Sequence, residues 1–242
     1  PFMPVIAQGR VVGSLDQSTR FLWDVRKTKA ELMDENYYTH FTELCHQHGM
    51  KSFFEPYDTV NFDEMIAGAS ADMPMGEFWQ GQENQRSSKL VASVMHMNGR
   101  PIMGAESFTS QSRWTEYPYS LKALGDFMWT QGLNKFVFHR YAMQPNTNPD
   151  VVPGMTMGPW GGHFERTNTW YSPEAGGNAW IHYIQRSQFL LQQGLFVGDL
   201  AYFAGEDSPV RNPDESKLDP APPEGHGYDT IDTQTLATRI KI

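Results

Sequence analysis

The sequence predicts an α/β fold with a parallel sheet, and three observations predict it. Five short apolar segments alternate with longer amphipathic stretches, the alternation from which parallel sheets are built. Most of the amphipathic stretches close on a glycine before the next apolar segment begins, as helices do where the chain turns back. The apolar segments tend to end in polar or acidic residues, which lines those side chains along one rim.

In chain order, Leu22, Val25, Leu32, Tyr37, Phe41 and Leu44 recur near helical spacing over a stretch long enough for two helices, and Gly49 is placed to end the last turn. The first strand is expected at Lys51 to Tyr57 (KSFFEPY) and the second at Met73 to Trp79 (MPMGEFW). Leu90, Val91, Val94 and Met95 form an apolar face closed by Gly99, leading to a third strand at Pro101 to Phe108 (PIMGAESF). Leu121, Leu124 and Met128, closed by Gly132, lead to a fourth at Lys135 to Tyr141 (KFVFHRY). From Gln144 to Pro173 glycines, prolines and aromatics follow no helical or strand period, which predicts a long ordered loop of the kind that often carries function. Ile181, Ile184, Leu190 and Leu191 precede Gly194 and a fifth strand at Leu195 to Phe203 (LFVGDLAYF). Beyond Glu206 the composition turns to Pro, Asp, Glu and Ser, so the packed domain is expected over 1–209. A Pro- and acid-rich connector, with the start of a following segment, is expected over 210–242.

Repeated strand-helix units with polar strand ends fit a (β/α)8-type (TIM) barrel, in which the loops after the strands build the active site. Eight strands close such a barrel and about five are present here, so the chain reads as roughly the C-terminal five βα units. An open, doubly wound sheet is the alternative.

Composition narrows the function. A formal net charge of -9 over 242 residues, without clustered Lys and Arg, argues against a nucleic-acid partner, because phosphate binding needs a concentrated basic surface. No run of about 18 apolar residues occurs, so no membrane-spanning segment is expected. The single Cys45 lies in a helical pattern as a small apolar filler and cannot form an internal disulfide. His163, Glu165 and His182 lack a zinc spacing such as HExxH. GPWGG lacks the order of a phosphate-binding loop, which weighs against an oxidoreductase or kinase-like α/β domain.

Glu55, Glu77 and Glu106 occupy equivalent places in three consecutive units, at or just past an apolar strand core. Glycoside hydrolysis uses two carboxyl groups flanking the scissile bond, one donating a proton and one activating water or attacking carbon. Strand-end glutamates also cap helices or pair with bases, but three in register favour a shared pocket. Trp79, Trp114, Trp160 and Trp170 fall at strand ends or in loops, where an aromatic face can cover a sugar ring or merely fill core. His139, Arg140 and Gln144, at and after the fourth strand, suit hydrogen bonds to sugar hydroxyls, and Asp199 could orient one. Asp58 and Glu206 are weaker candidates. A non-catalytic sugar-binding fragment is the competing function.

The motifs MPMGEFW, PIMGAESFTS, KFVFHRYAMQP, PGMTMGPWGGHFERTNTW and LLQQGLFVGDLAYFAGE, with the tail GYDTIDTQTL, resemble the catalytic module of glycoside hydrolase family 106. The resemblance implies an α-L-rhamnosidase on a (β/α)8 barrel that cleaves terminal rhamnose from glycans by inversion. It implies Glu106 as general acid, Glu77 as base, and calcium supporting sugar binding through ligands the motifs do not name. Glu55, Trp79, His139, Gln144, Trp160, Trp170 and Asp199 are then the candidate substrate-binding residues. Such a substrate class implies a periplasmic or secreted setting. Family members are far longer, so the chain is expected to be a central portion whose exposed sheet edges invite self-association.

Overall fold

The computed structural model describes residues 1–58, 61–81, 86–111, 116–140 and 177–240. A short helix α1 (Met3–Gln8) leads into α2 (Leu15–Met33), which starts where the Ser14 hydroxyl accepts the Gln17 N–H. A π-helical segment (Asp34–Thr39) joins α2 to α3 (His40–Gln47), and Gly49 ends the run at φ 68°, a left-handed conformation that glycine adopts without cost.

The central sheet has four parallel strands in the order β1 (Phe53–Phe54), β2 (Met73–Trp79), β3 (Gly104–Thr109) and β4 (Lys135–Phe138). The helices α4 (Glu64–Ser70), α5 (Arg86–Met97) and α6 (Pro118–Thr130) lie between consecutive strands. Parallel neighbours need such crossovers, so strand order follows chain order. β2 spans the residues its alternation predicted. β1 is shorter than expected, because Pro56 follows closely and has no N–H to continue a ladder. β4 stops at Phe138, and Tyr141 lies outside the described residues.

Phe78, Ala105 and Phe108 from the sheet meet Val91, Ala92 and Met95 of α5 and Leu121 and Met128 of α6. Trp180 and Ile184 of α7 (Gly177–Leu191) complete this core. Two glycines set how closely helix approaches strand. A Cβ on Gly76 would sit 2.8 Å from the Ser88 Cα, and one on Gly132, at φ 102°, would sit 2.8 Å from the Ala92 Cβ.

The fifth expected strand lies outside this sheet. Only Leu200–Phe203 forms β5, and it pairs in parallel with β6 (Tyr228–Ile231) in a separate two-stranded sheet. That sheet rests on α5: Ser93 accepts the Thr230 N–H at 3.0 Å, and His96 and Ser93 both bond Asp229. Its segment therefore serves α5 rather than the central sheet, so the described residues form an open four-stranded parallel sheet in which no closed barrel is seen.

Past residue 209 lie β6 and α8 (Thr233–Thr238), and a strap at 207–213 leads to them. Fully buried Glu64 fastens the strap, accepting from the Asn212 N–H at 3.0 Å, from Arg211 at 3.5 Å and from Arg86 at 2.5 Å. Acid- and proline-rich composition predicts poor self-packing, but it does not prevent docking on a buried carboxylate. Cys45 is buried, as a small filler should be. Among the described residues no helix is long and apolar enough to cross a membrane.

Candidate active site

Side chains alternate across β2. Phe78 enters the helix-side core and Gly76 abuts α5, so Glu77 and Trp79 point to the other face. Met73 and Met75 share that face and approach Gly104 of β3. In the β2/β3 register Glu77 lies opposite Glu106, which brings the two backbones within about 5 Å. Glu55 immediately follows β1, and all three glutamates interact electrostatically. The equivalent positions read from the sequence do converge.

Each member of the pair has its own donors. Tyr57 Oη donates to Glu77 Oε2 at 3.0 Å, and the Trp79 indole N–H donates to Glu77 Oε1. Behind it, the Ser87 hydroxyl in the first turn of α5 accepts the Glu77 N–H and donates to the Glu77 carbonyl, both at 3.0 Å. One serine thus fixes the backbone of Glu77 from the helix that Gly76 allows so close.

Thr109 Oγ1 donates to Glu106 Oε1 at 2.5 Å. Three residues apart on a regular strand, the two side chains would point to opposite faces. A register shift opposite Glu77 and Trp79, with Phe108 at φ 63°, cancels that alternation. The left-handed conformation costs a bulky residue on the order of 1–2 kcal/mol. Against it, the fully buried Phe108 ring packs edge to face on Phe78 at 4.9 Å and on Phe136 at 5.2 Å. His139 Nδ1 stands 3.9 Å from Glu106 Oε1, beyond hydrogen-bond range.

Burial and neighbouring charge shape the protonation. Glu55 is exposed as a residue, yet its carboxyl loses enough solvent for its pKa to rise to about 7, first by burial and then by Glu106. Burial also raises Glu77, while Trp79 and Tyr57 pull it down and Glu106 adds to the rise. Burial pushes the Tyr57 hydroxyl up, and Glu55 and Glu77 beside it add to the effect, so it stays protonated as a donor.

Of the other expected residues, Trp79 and His139 join the cluster as described. Asp199 does not: it precedes β5 in the second sheet, exposed, and pairs with His226 at 3.2 Å. Asp58 binds Arg86 and Arg211, and Glu206 lines a small cavity beside Lys27 and Asp63. Gln144, Trp160, Trp170, Trp114, His163 and Glu165 lie outside the described residues. Sequence reading missed Tyr57, Ser87 and Thr109. Tyr57 had a signal, being two residues past Glu55, whereas Thr109 depends on a bulge that no local pattern announces.

This is a rim where two carboxyls on adjacent strands, each with its own hydrogen-bond donor, stand beside the Trp79 indole, an arrangement suited to acid/base chemistry. The family model described as alpha-L-rhamnosidase, glycoside hydrolase family 106, matches residues 1–242. A Formosa agariphila protein named "Putative beta-glucuronidase" is 43% identical over 240 residues, covering 98% of this chain and 19% of its own length. The solved structure of a rhamnosidase from Novosphingobium sp. PP1Y aligns with a TM-score of 0.83 at 30% identity, covering 98% of this chain and 23% of that chain. The chain thus spans about a fifth of the length of these relatives.

Proposed function

Because the chain belongs to glycoside hydrolase family 106, the alpha-L-rhamnosidases, we propose that it supplies the acid/base carboxyls of a hydrolase that releases terminal rhamnose from glycans. Glu106 is the general acid and Glu77 the general base. The observation that carries this reading is the in-register pair itself, with separate donors to each member.

Hydrogen-bond direction assigns the roles. Both oxygens of Glu77 accept, one from Tyr57 and one from Trp79, the pattern of an ionised carboxylate. Glu106 accepts Thr109 on Oε1, which leaves its other oxygen to carry a proton. In turnover that proton passes from Glu106 to the glycosidic oxygen as the bond to the anomeric carbon breaks. Glu77 takes a proton from the water that attacks the same carbon. Inversion needs the carboxyls about 6.5–9.5 Å apart, and this pair stands on backbones about 5 Å apart. Sugar entry in this proposal holds the two carboxyls apart across that gap, with the four-stranded sheet as part of a (β/α)8-type barrel wall.

Three carboxyls on the rim favour a neutral sugar over an anionic uronic acid, because a substrate carboxylate would be repelled. The calcium implied by the family resemblance belongs to the same proposal. Among the described residues no group of three or more His, Cys, Asp or Glu is arranged to hold a metal ion, so no step is routed through it.

The test is hydrolysis of an aryl α-L-rhamnoside and an aryl β-glucuronide by the chain with whatever sequence naturally flanks it. Glu77→Gln and Glu106→Gln are each expected to lose on the order of 10²–10⁴-fold in rate, and NMR of the first sugar formed is expected to show the inverted anomer. Undiminished turnover in both variants would remove the assignment. Preference for the glucuronide would overturn the substrate, and a retained anomer would overturn the single displacement.

A further inference from the structure

We infer that the groove between α5 and α6, walled by residues 213–228, is a second sugar-binding site that takes a neutral saccharide, with Lys89 donating to its hydroxyls and Phe127 covering its ring. The site stands on its own geometry rather than on the function proposed above. It lies on the helix side of the sheet, whereas Glu77 points to the other face, so it is separate from the acid/base pair.

Lys89 turns toward β6 rather than out to water. The residue is only 9% exposed, and its ammonium lies 4.3 Å from the centre of the Tyr228 ring. Asp229 is its acidic partner, but that carboxylate is already engaged. His96 Nδ1 lies 3.0 Å from both of its oxygens, and the Ser93 hydroxyl donates to Oδ1 at 3.2 Å. Lys89 Nζ stays 3.6 Å away, longer than a good hydrogen bond. An ammonium has three N–H groups to give, and holding them short of acceptors in a buried place is costly. Burial lowers the Lys89 pKa, while Asp229 works against that loss.

Beside this cation the structure leaves open space. Lys89 lines a cavity of about 640 Å³ and an adjoining one of about 220 Å³, and Gln131, Glu215 and Tyr228 line both. That is room for a ligand of small-molecule size. The walls carry the mixture of donors, acceptors and apolar surface that sugar hydroxyls and ring faces use. Hydroxyl oxygens can accept from Lys89 and from the Gln131 amide. Hydroxyl protons can go to Glu215, which takes the Tyr228 hydroxyl on Oε2 at 3.1 Å and can accept again on its other oxygen. Phe127 of α6, 46% exposed, lines the larger cavity with an open aromatic face. An anion fits less well. Arg86 is bound to Glu64 and Asp58, and Lys89 faces both Asp229 and Glu215, with Glu224 lining the smaller cavity. The carboxylates outnumber the free cation, so a charged sugar acid is repelled.

The experiment uses the chain with its natural flanks, labelled with carbon-13 in its phenylalanine rings, and Phe127 is assigned from the NMR signal lost in Phe127→Leu. L-rhamnose, D-galactose and D-glucuronate are titrated separately. The Phe127 signal is expected to move saturably with both neutral sugars, with Kd in the millimolar range, and D-glucuronate is expected to bind there roughly tenfold more weakly. Lys89→Met is expected to weaken the neutral sugars roughly tenfold. A Phe127 signal that neither neutral sugar moves overturns the inference, as does D-glucuronate binding as tightly as they do. Unweakened binding in a folded Lys89→Met protein overturns it too. Should Lys89→Met fail to fold, Gln131→Ala decides in the same way. Hydrolysis of an aryl α-L-rhamnoside separates this site from the function proposed above. A chain that hydrolyses nothing yet binds neutral sugars at Phe127 refutes that function and supports the second site, and hydrolysis with an unmoved Phe127 signal does the reverse.

Discussion

Replacing Glu64 with glutamine tests how the strap and the site are held together. The Glu64 side chain is fully buried and accepts from four donors: the N–H groups of Asp58 and Asn212, Nη1 of Arg86 and Nε of Arg211. Asp58 and Arg211 approach one oxygen, Arg86 and Asn212 the other. A glutamine turned either way presents an NH2 to one of these donor pairs and carries no charge. Each lost bond to a charged group is worth about 1.5–3 kcal/mol. Arg86, whose side chain is only 11% exposed, would keep the largely exposed Asp58 as its acidic partner. Breaking a buried pair in this way costs about 3–5 kcal/mol, a large share of a typical stability of roughly 5–15 kcal/mol. With an m-value of about 2 kcal/mol/M in urea, the unfolding midpoint should fall by roughly 1.5–2.5 M. Glu31→Gln is the control, since its contact with Lys27 at 4.0 Å is exposed and should be worth less than about 1 kcal/mol. A Glu64→Gln midpoint as close to wild type as the Glu31 control would refute the reasoning.

Two further outcomes follow from the geometry. Gly76→Ala puts a Cβ 2.9 Å from the Ser87 carbonyl oxygen and 2.8 Å from the Ser88 Cα; moving α5 away should cost about 1–3 kcal/mol in urea unfolding and lower kcat by loosening Ser87 from Glu77. Asp34 is buried beside Asp63, with Oδ1 unpartnered among the described residues, and its pKa is raised from 3.8 to about 7. The folded protein thus keeps a proton there that the unfolded chain releases near pH 4, so this site favours folding at low pH and loses that contribution as pH rises from about 4 through 7. Asp34→Asn should flatten that slope and raise the melting temperature at pH 8 by at least ~2 °C; a lower melting temperature at pH 8 would contradict it.

The outline of the fold was legible because local pattern and burial coincide in the middle of the chain. Met73–Trp79 is a short apolar segment in sequence and a strand in space, and α5 buries Val91 and Met95 on the sheet side and Leu90 and Val94 toward α4. In the N-terminal helices pattern and burial part company. Leu32, Tyr37, Phe41 and Leu44 are exposed, whereas Ala30, Asp34, Tyr38, Thr42 and Cys45 are buried. The π-helical segment supplies the reason: its wider turn shifts the phase of the helix, so steps near four residues, rather than 3.6, stay on one face.

For the site, the sequence by itself determined that three glutamates fall in or just after successive strands, because a strand-helix repeat brings equivalent positions to neighbouring places in the sheet. It determined as well that Tyr57 follows Glu55 by one strand period. Tertiary structure decided the rest. The β2/β3 register set Glu77 against Glu106, the bulge at Phe108 brought Thr109 onto the face of Glu106, and the contact allowed by Gly76 placed Ser87 on the backbone of Glu77. It also sent the fifth strand, with Asp199, to a separate sheet on α5. The physical reason is common to all of these: local period states which way a side chain points along its own element, while register, bulges and sheet membership are settled by partners distant in sequence.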